Sequence, residues 1–316
     1  MGSVTSVILR RLGGMLVVML AIVTVTFVIV RLTPGDPAAM ILGDQATVQD
    51  IADLRERMGL DRPILEQYAT YVLDAAQGDL GQSLFLGVPV LDAIAGSAET
   101  TIFLTLFAIL IAVAIALPVG IISAYKRGSV IDQIAVAVSM LASSVPSFWL
   151  GLILIQTFAV SLGWFPTSGY GGPGAGFATR MGHLLLPAVA LGVVNSALIL
   201  RFTRAAMLDV LSEDYIRTAR AKGMVEKRVV MRHALKNALI PIITVVGLSV
   251  ALLISGAVVT ETVFGLPGIG NLTVNAVMRR DYPVIQGTLL VVAGVYVLIN
   301  FLVDMLYILV DPRVRL

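Results

Sequence analysis

The chain has 316 residues, 58% hydrophobic and 13% charged, with a mean hydropathy of +0.94, which excludes an ordinary water-soluble domain. A formal net charge of +2, with the basic residues set between long apolar runs, gives no concentrated basic face and implies no nucleic-acid partner. The absence of cysteine excludes disulfides, thiolate metal sites and a cysteine nucleophile, and two distant histidines, His183 and His233, suggest no metal cluster.

A bilayer core about 30 Å thick needs roughly 20 apolar residues in helix. Six nearly uncharged windows meet that need, over residues 12–30, 102–124, 134–160, 184–200, 238–259 and 284–309. The expected fold class is therefore all-α, an integral membrane protein with six transmembrane helices. The first window follows Arg10 and Arg11 like a signal peptide, but it exceeds the about 7 to 15 apolar residues of a leader, which favours a retained helix.

Between the first two windows, Asp36, Asp44, Asp50, Asp53, Glu56, Asp61, Glu66, Asp74, Asp79 and Asp92 outnumber Arg55, Arg57 and Arg62. Thr47 is placed to cap one short helix ending near Gly59, and Pro63 suits the first turn of another ending before Gly78. The third window holds Pro146. The fourth is the shortest and carries Pro187 and Asn195. Pro118, Pro146, Pro187 and Pro241 each remove a backbone hydrogen bond and predict kinks, serving equally as hinges or as static packing features.

Residues 212–241, "SEDYIRTARAKGMVEKRVVMRHALKNALIP", form a connection of thirty residues, far above the usual median of about 4 to 6. Its first part reads as a short helix: Ser212 as N-cap, Glu213 and Asp214 in the first turn, Arg217, Arg220 and Lys222 towards the end, and Gly223 as the stop. A helix of this length is below the roughly 12 to 15 residues at which isolated helices become marginal, so packing must hold it. Tyr215, Ile216, Ala219 and Gly223 share a narrow face suited to a groove on another protein. A helix lying among anionic lipid headgroups accounts for the same pattern equally well.

After the fifth window, "FGLPGIGNL" makes a turn in which Phe264, Leu266 and Ile269 are apolar, predicting a segment buried against the span ends. Phe264, Leu266, Pro267 and Gly268 are its outer-gate candidates. Asp304 is the one carboxylate within the last window; its position one turn from Asn300 favours a structural ion pair over a proton relay.

Arg10, Arg11, Lys126, Arg127, Arg313, Arg315 and the basic residues from Arg201 to Lys236 fall on one side if the spans alternate, which places both termini in the cytoplasm.

Residues 212–241 resemble the coupling loop of membrane subunits in binding-protein-dependent ABC importers, with wording closest to the oligopeptide and dipeptide permease family. "RLTPGDPA" from Arg31, "GDLGQSL" from Gly78, "ETVFGLPGIGNL" from Glu261 and the C-terminal "DPRVRL" add to the resemblance in the same order along the chain. The general pattern has glutamate and two alanines before the glycine. Here those places hold Arg217, Thr218 and Ala219, and Pro241 lies further along than the general pattern has it, so Arg217 inherits no glutamate role.

The resemblance implies the type I ABC importer fold, with a first segment of residues 1–99 and a five-helix core of 100–316 that contains the coupling loop 201–237. It implies a multi-pass permease subunit of a bacterial inner membrane, without an ATPase site of its own, that forms half of a pathway for di- or oligopeptides. A second homologous permease, two ATPase subunits carrying ATP and Mg, an extracytoplasmic receptor and membrane lipid are the implied partners. Glu213, Asp214, Tyr215, Ile216, Arg217, Ala219, Arg220, Lys222 and Gly223 would dock the ATPase. The chain indeed lacks a G-x-x-x-x-G-K-[ST] phosphate loop. Nickel, glutathione and sugar are alternative solutes.

A solvated route between helices makes Ser143, Ser147, Gln156, Asn195, Thr244 and Ser249 the pathway candidates, against the plainer reading of hydrogen bonds within or between helices. An ATP-independent secondary transporter or channel explains the spans but not the long loop, and no inverted repeat is visible. A membrane-embedded hydrolase would need a base near an intramembrane serine, and no histidine lies within a span.

Overall fold

The computed structural model describes residues 4–32, 37–42, 46–57, 59–172 and 174–310. With lipid unable to satisfy backbone polar groups, the chain closes its hydrogen bonds in helices. In order these are α1 (Val4–Leu32), α2 (Pro37–Leu42), α3 (Val48–Arg57), α4 (Ile64–Ala76), α5 (Val90–Tyr125), α6 (Val130–Ser144) and α7 (Ser147–Leu154), which continues into a π-helical stretch, Ile155–Ser161. Then follow α8 (Phe177–Leu211), α9 (Asp214–Ala221), α10 (Glu226–Arg228), a π-helical Val229–Ala234 leading into α11 (Leu235–Val263), α12 (Ile269–Arg279) and α13 (Tyr282–Val310). One isolated bridge, Gln82 to Pro89, is the β pairing among the described residues.

Five helical segments are long and apolar enough to cross a membrane, or six if Val130–Ser144 and Ser147–Ser161 count as one broken span. That pair is bent by 94°, so the continuous third helix expected over 134–160 is replaced by two. Pro146 causes the break: it lacks an N–H and drives Val145 into extended backbone (φ −89°, ψ 125°), ending α6 and capping α7. Pro118, Pro187 and Pro241 instead lie inside continuous helices. The fourth span, expected to be the shortest, is one of the longest helices at 35 residues, because α8 continues beyond the apolar window in both directions.

The chain divides into two compact units, one of Thr100–Asn271 with Leu298–Leu316 and one of Gly2–Glu99 with Leu272–Val297. The stretch Leu272–Val297 groups with the N-terminal residues.

In the first unit α8 is the centre: its most apolar window is 61% buried, against 33% for α5 and for the segment ending in α11. Leu184, Leu191 and Ile199 of α8 pack with Leu104, Ala108, Ala112 and Ala116 of α5 and with Leu253 and Ala257 of α11. The small residues allow close approach, as expected where helices meet in lipid. A Cβ on Gly192 would lie 2.8 Å from the Ala108 carbonyl oxygen, and one on Gly120 would lie 2.8 Å from the Thr203 side chain.

In the second unit, Thr47 and Asp50 cap α3 reciprocally: Asp50 N–H donates to Thr47 Oγ1 and Thr47 N–H to Asp50 Oδ2. The Thr47 hydroxyl, which donates to Asp50 Oδ2 at 2.6 Å, and then the Thr47 N–H hold the Asp50 carboxyl below its ordinary pKa. Pro63 is the N-cap of α4, one position before the turn expected for it. Phe27 of α1 packs on Tyr68 and Tyr71 of α4, and Thr24 Oγ1 lies 2.7 Å from Tyr68 Oη. These contacts give α1 a packing role in the folded unit. Asp36, Asp44, Arg313 and Arg315, the middle of "RLTPGDPA", all of "DPRVRL" and the Asp304 side chain lie outside the described residues.

Candidate functional site

The connection between α8 and α11 contains less loop than its length suggests. α8 runs to Leu211, and helix resumes at Glu226, so the irregular part is confined to the surroundings of α9. The cap differs from expectation as well. Ser212 closes α8, its hydroxyl donating to the Asp209 carbonyl, and Glu213 (φ −69°, ψ 149°) is the N-cap of α9. The C-terminal stop is Gly223, at φ +75°, with Gly223 N–H donating to the Arg220 carbonyl and Met224 N–H to that of Ala219. A left-handed residue is what this termination requires, and glycine takes it without steric cost.

Packing holds α9, but its own chain supplies it. Ile216 is fully buried and Ala219 nearly so, in a cluster with Met207 of α8, Ala124 of α5, and Val229, Val230, Ala234 and Ala238. Ile216 and Ala219, expected to enter a partner's groove, therefore face inward: both belong to the apolar stripe, which packs in this cluster chiefly against the π-helical Val229–Ala234 that leads into α11. Tyr215 is anchored at its hydroxyl, which accepts from Asn237 Nδ2 (2.7 Å) and donates to the His233 carbonyl (3.4 Å). Arg220 forms a fork with Glu226, Nη2 to Oε1 2.8 Å. Glu213, Asp214, Tyr215, Arg217, Lys222 and Gly223 remain exposed, and Arg217 pairs with Asp214 at 3.1 Å across one turn. The segment is a self-supported basic knob.

The pathway candidates do not converge. Ser143 and Ser147 flank the break at Pro146, and Ser143 Oγ accepts from Arg201 (3.1 Å) while donating to the Met140 carbonyl. Gln156 is exposed on the π-helical stretch. The Asn195 amide and the Thr244 hydroxyl donate to carbonyls one turn back on their own helices, Leu191 and Ile240. Ser249 is sealed inside, its hydroxyl without a hydrogen-bond partner among the described residues.

The turn after α11 is buried as its apolar residues imply. Phe264 and Leu266 join the core of the first unit, Gly268 is enclosed and Pro267 is exposed. The Phe264 ring lies where a Cβ on Gly151 of α7 would stand, 2.9 Å away.

Sequence reasoning gave no role to three acids that organise this scaffold. Glu261 is fully buried near the end of α11, and its carboxylate accepts from Thr101 Oγ1 (2.6 Å) and from the N–H groups of Gly270 and Asn271 at the start of α12. Thr101 Oγ1 in turn accepts from Ile269 N–H (2.9 Å). Asp132, in the first turn of α6, forms a two-bond pair with Arg204 of α8 at 2.6 and 2.8 Å. In the second unit, Asp281 accepts from Ser83 Oγ and from Leu84 and Phe85 N–H, fastening the turn that follows "GDLG" to the start of α13. An isolated acid beside an apolar run is the sequence signal that each of the three carries.

Comparison with known proteins gives this geometry its family. The family described as binding-protein-dependent transport system inner membrane component matches residues 116–316, and its N-terminal companion matches residues 4–105. The chain belongs to that family. Relatives include a probable peptide ABC transporter permease of Sinorhizobium fredii, 46% identical over 98% of both chains. A dipeptide transport system permease of Alkalihalophilus pseudofirmus is 44% identical over 97% of this chain and 98% of its own. A glutathione transport system permease of Escherichia coli is 42% identical over 98% of each. Among solved structures, a chain of the MetNI methionine ABC transporter in an inward-facing conformation matches with a TM-score of 0.57 at 20% identity, over 69% of this chain and 96% of that one. The fold is therefore that of a type I ABC importer permease, and the protein is a multi-pass inner-membrane component of the peptide-type branch. Membership sets aside the secondary-transporter and channel readings.

Proposed function

We propose that this permease forms half of the translocation pathway of an ATP-driven importer of di- or oligopeptides and takes its power stroke through α9. A second permease, two ATPase subunits and an extracytoplasmic receptor complete the assembly, ATP and Mg being held by the ATPases. Both termini lie in the cytoplasm, and α9 projects from the same side. The observation that carries the reading is the seating of α9. Its apolar face is seated by Ile216 and Ala219 in a cluster with α8 residues and the π-helical Val229–Ala234, while Tyr215, Arg217, Lys222 and Gly223 stay exposed, so a push on the knob bears on the stretch that continues into α11 and, through Ser212 and Glu213, on the end of α8. The chain's own part in the chemistry is mechanical, with nucleotide bound elsewhere.

Peptide as the solute rests on the relatives, whose names include peptide and dipeptide permeases at 44–46% identity. Glutathione is the second reading, on a relative at 42%.

The test is the purified assembly in proteoliposomes with its receptor. A Cβ at Gly223 meets no atom within 4 Å, so a side chain there projects outward, towards a docked partner. Gly223→Arg is expected to abolish receptor-stimulated ATP hydrolysis, and Gly223→Asn, which tolerates the left-handed backbone, to retain most of it. Stimulated hydrolysis unchanged by Gly223→Arg would remove the docking role.

A further inference from the structure

The geometry points to a joint in which Asp132, Arg204, Arg201 and Ser143 make α6 travel with α8 when α9 is displaced, so that these four are positioning residues for transport. The inference rests on the coupling role proposed for α9 and extends it from the knob to the broken span.

Asp132 is held unusually completely. Its side chain is 5% exposed. Oδ1 accepts from Arg204 Nε and Ser123 Oγ, and Oδ2 accepts from Arg204 Nη2 and Gly128 N–H. These donors come from the end of α5, the turn after it and the last third of α8, so one carboxylate fixes three helices in register. The planar fork of arginine meets the carboxylate in two bonds, which sets angle as well as distance.

Arg201, one turn before Arg204 on α8, donates to Ser143 Oγ at 3.1 Å. Asp132 and Ser143 stand near opposite ends of α6, Val130–Ser144. The two arginines therefore brace α6 at both ends against a single helix. Immediately beyond Ser143 the backbone leaves the helix at Val145, and the chain turns by 94° into α7. Beyond Arg204, at the C-terminal end of α8, Leu211 is separated from α9 by Ser212 and Glu213 alone. A displacement of α9 thus has a stiff route to α6, and the break at Pro146 lets α6 move without dragging α7 as one rod.

A buried ion pair is weak support for a role in stability, since a well-packed apolar replacement often serves as well. What it supplies that an apolar contact does not is a single register between the helices it joins, as needed by a part that transmits motion.

The experiment uses the complete assembly in proteoliposomes, reading solute imported per ATP hydrolysed. The absence of cysteine allows a spin label at Val138, 56% exposed on α6, and another at exposed Thr218 on α9, with no background labelling. Asp132→Asn, which keeps the shape and loses the charge, is expected to lower the import ratio roughly fivefold while receptor-independent hydrolysis changes less than about twofold. The distance between the labels, narrow in the parent protein with and without nucleotide, is expected to broaden. Arg204→Lys keeps the charge and loses the fork, and it should show the same split if Asp132→Asn assembles poorly. An unchanged import ratio with an unchanged distance distribution in the assembled variants overturns the joint, as does a lowered melting temperature without change in the ratio. Gly223→Arg run in parallel separates the two ideas: if it uncouples hydrolysis and the Asp132 and Arg204 variants do not change the ratio, the joint alone fails. If it has no effect, the docking role fails and takes the joint with it.

Discussion

The carboxylate of Glu261 explains why the turn after α11 is spelled with so many small residues. It fills the space beside the backbone at positions 268 and 270, where a Cβ on Gly268 would collide with its carboxyl carbon and both oxygens, and one on Gly270 would meet Oε2 at 2.8 Å. Its hydrogen bonds to Gly270 and Asn271 satisfy donors at the start of α12 that have no partner within the helix. Gly268→Ala should therefore destabilise the purified protein by about 2 kcal/mol, the usual scale of overpacking. Glu261→Gln, which turns an acceptor into an amide NH₂ facing backbone N–H groups, should cost about 1.5 to 3 kcal/mol. Thermal unfolding in detergent measures both. Melting temperatures equal to the parent's would mean that the glycines serve some purpose other than admitting this carboxylate. "ETVFGLPGIGNL" is visible in the sequence as a motif, yet the pairing of its first residue with its glycines is not, because the reversal of chain direction between them sets that contact.

At the scale of the element, α9 shows what periodicity can and cannot say. The stop at Gly223 was legible because a left-handed residue favours glycine, and the stripe of Ile216 and Ala219 was legible because residues three apart share a face. Which surface meets that stripe was not, since an apolar face carries no mark distinguishing its own chain from a partner. The structure turns it onto the π-helical stretch that leads into α11, in a cluster that also holds α8 residues, giving a direct expectation: Ile216→Ala, which empties a fully buried site, should cost about 2 to 4 kcal/mol. Tyr215→Phe, losing its bond with Asn237, should cost about 1 kcal/mol. Hydrogen exchange over residues 214–221 reads the loosening, fastest in Ile216→Ala. Exchange there as slow as in the parent would show that the internal seat does not hold the helix. The same limit applies to the third span. Pro146 announces a kink, but whether the kink is a few degrees or 94° depends on what packs on either side. Arg201 and Arg204 read as the end of a span because charge ends an apolar window, whereas one reaches Ser143 and the other Asp132 without leaving the helix.

For the whole molecule, composition and hydropathy were enough for the fold class, and five of the six windows correspond to unbroken helices, since only helices satisfy the backbone in lipid. Orientation is a different kind of inference, because it depends on the cost of moving charge across the membrane and not on any contact within the fold. Arg201, Arg204, Arg217, Arg220, Lys222, Lys227, Arg228, Arg232 and Lys236 lie in or beside one connection, while the segment between the first two windows is acidic. Positive charge is retained on the cytoplasmic side, so the knob formed by α9 should face inward and α3 outward. Single cysteines test this without background, as the chain has none. Val225→Cys, at a site 74% exposed, should react with a membrane-impermeant maleimide in inside-out vesicles and not in intact spheroplasts. Val48→Cys, at a site 86% exposed, should show the opposite pattern. The reverse of both would place α9 away from any cytoplasmic ATPase, and the coupling role would fall whatever the quality of its internal packing.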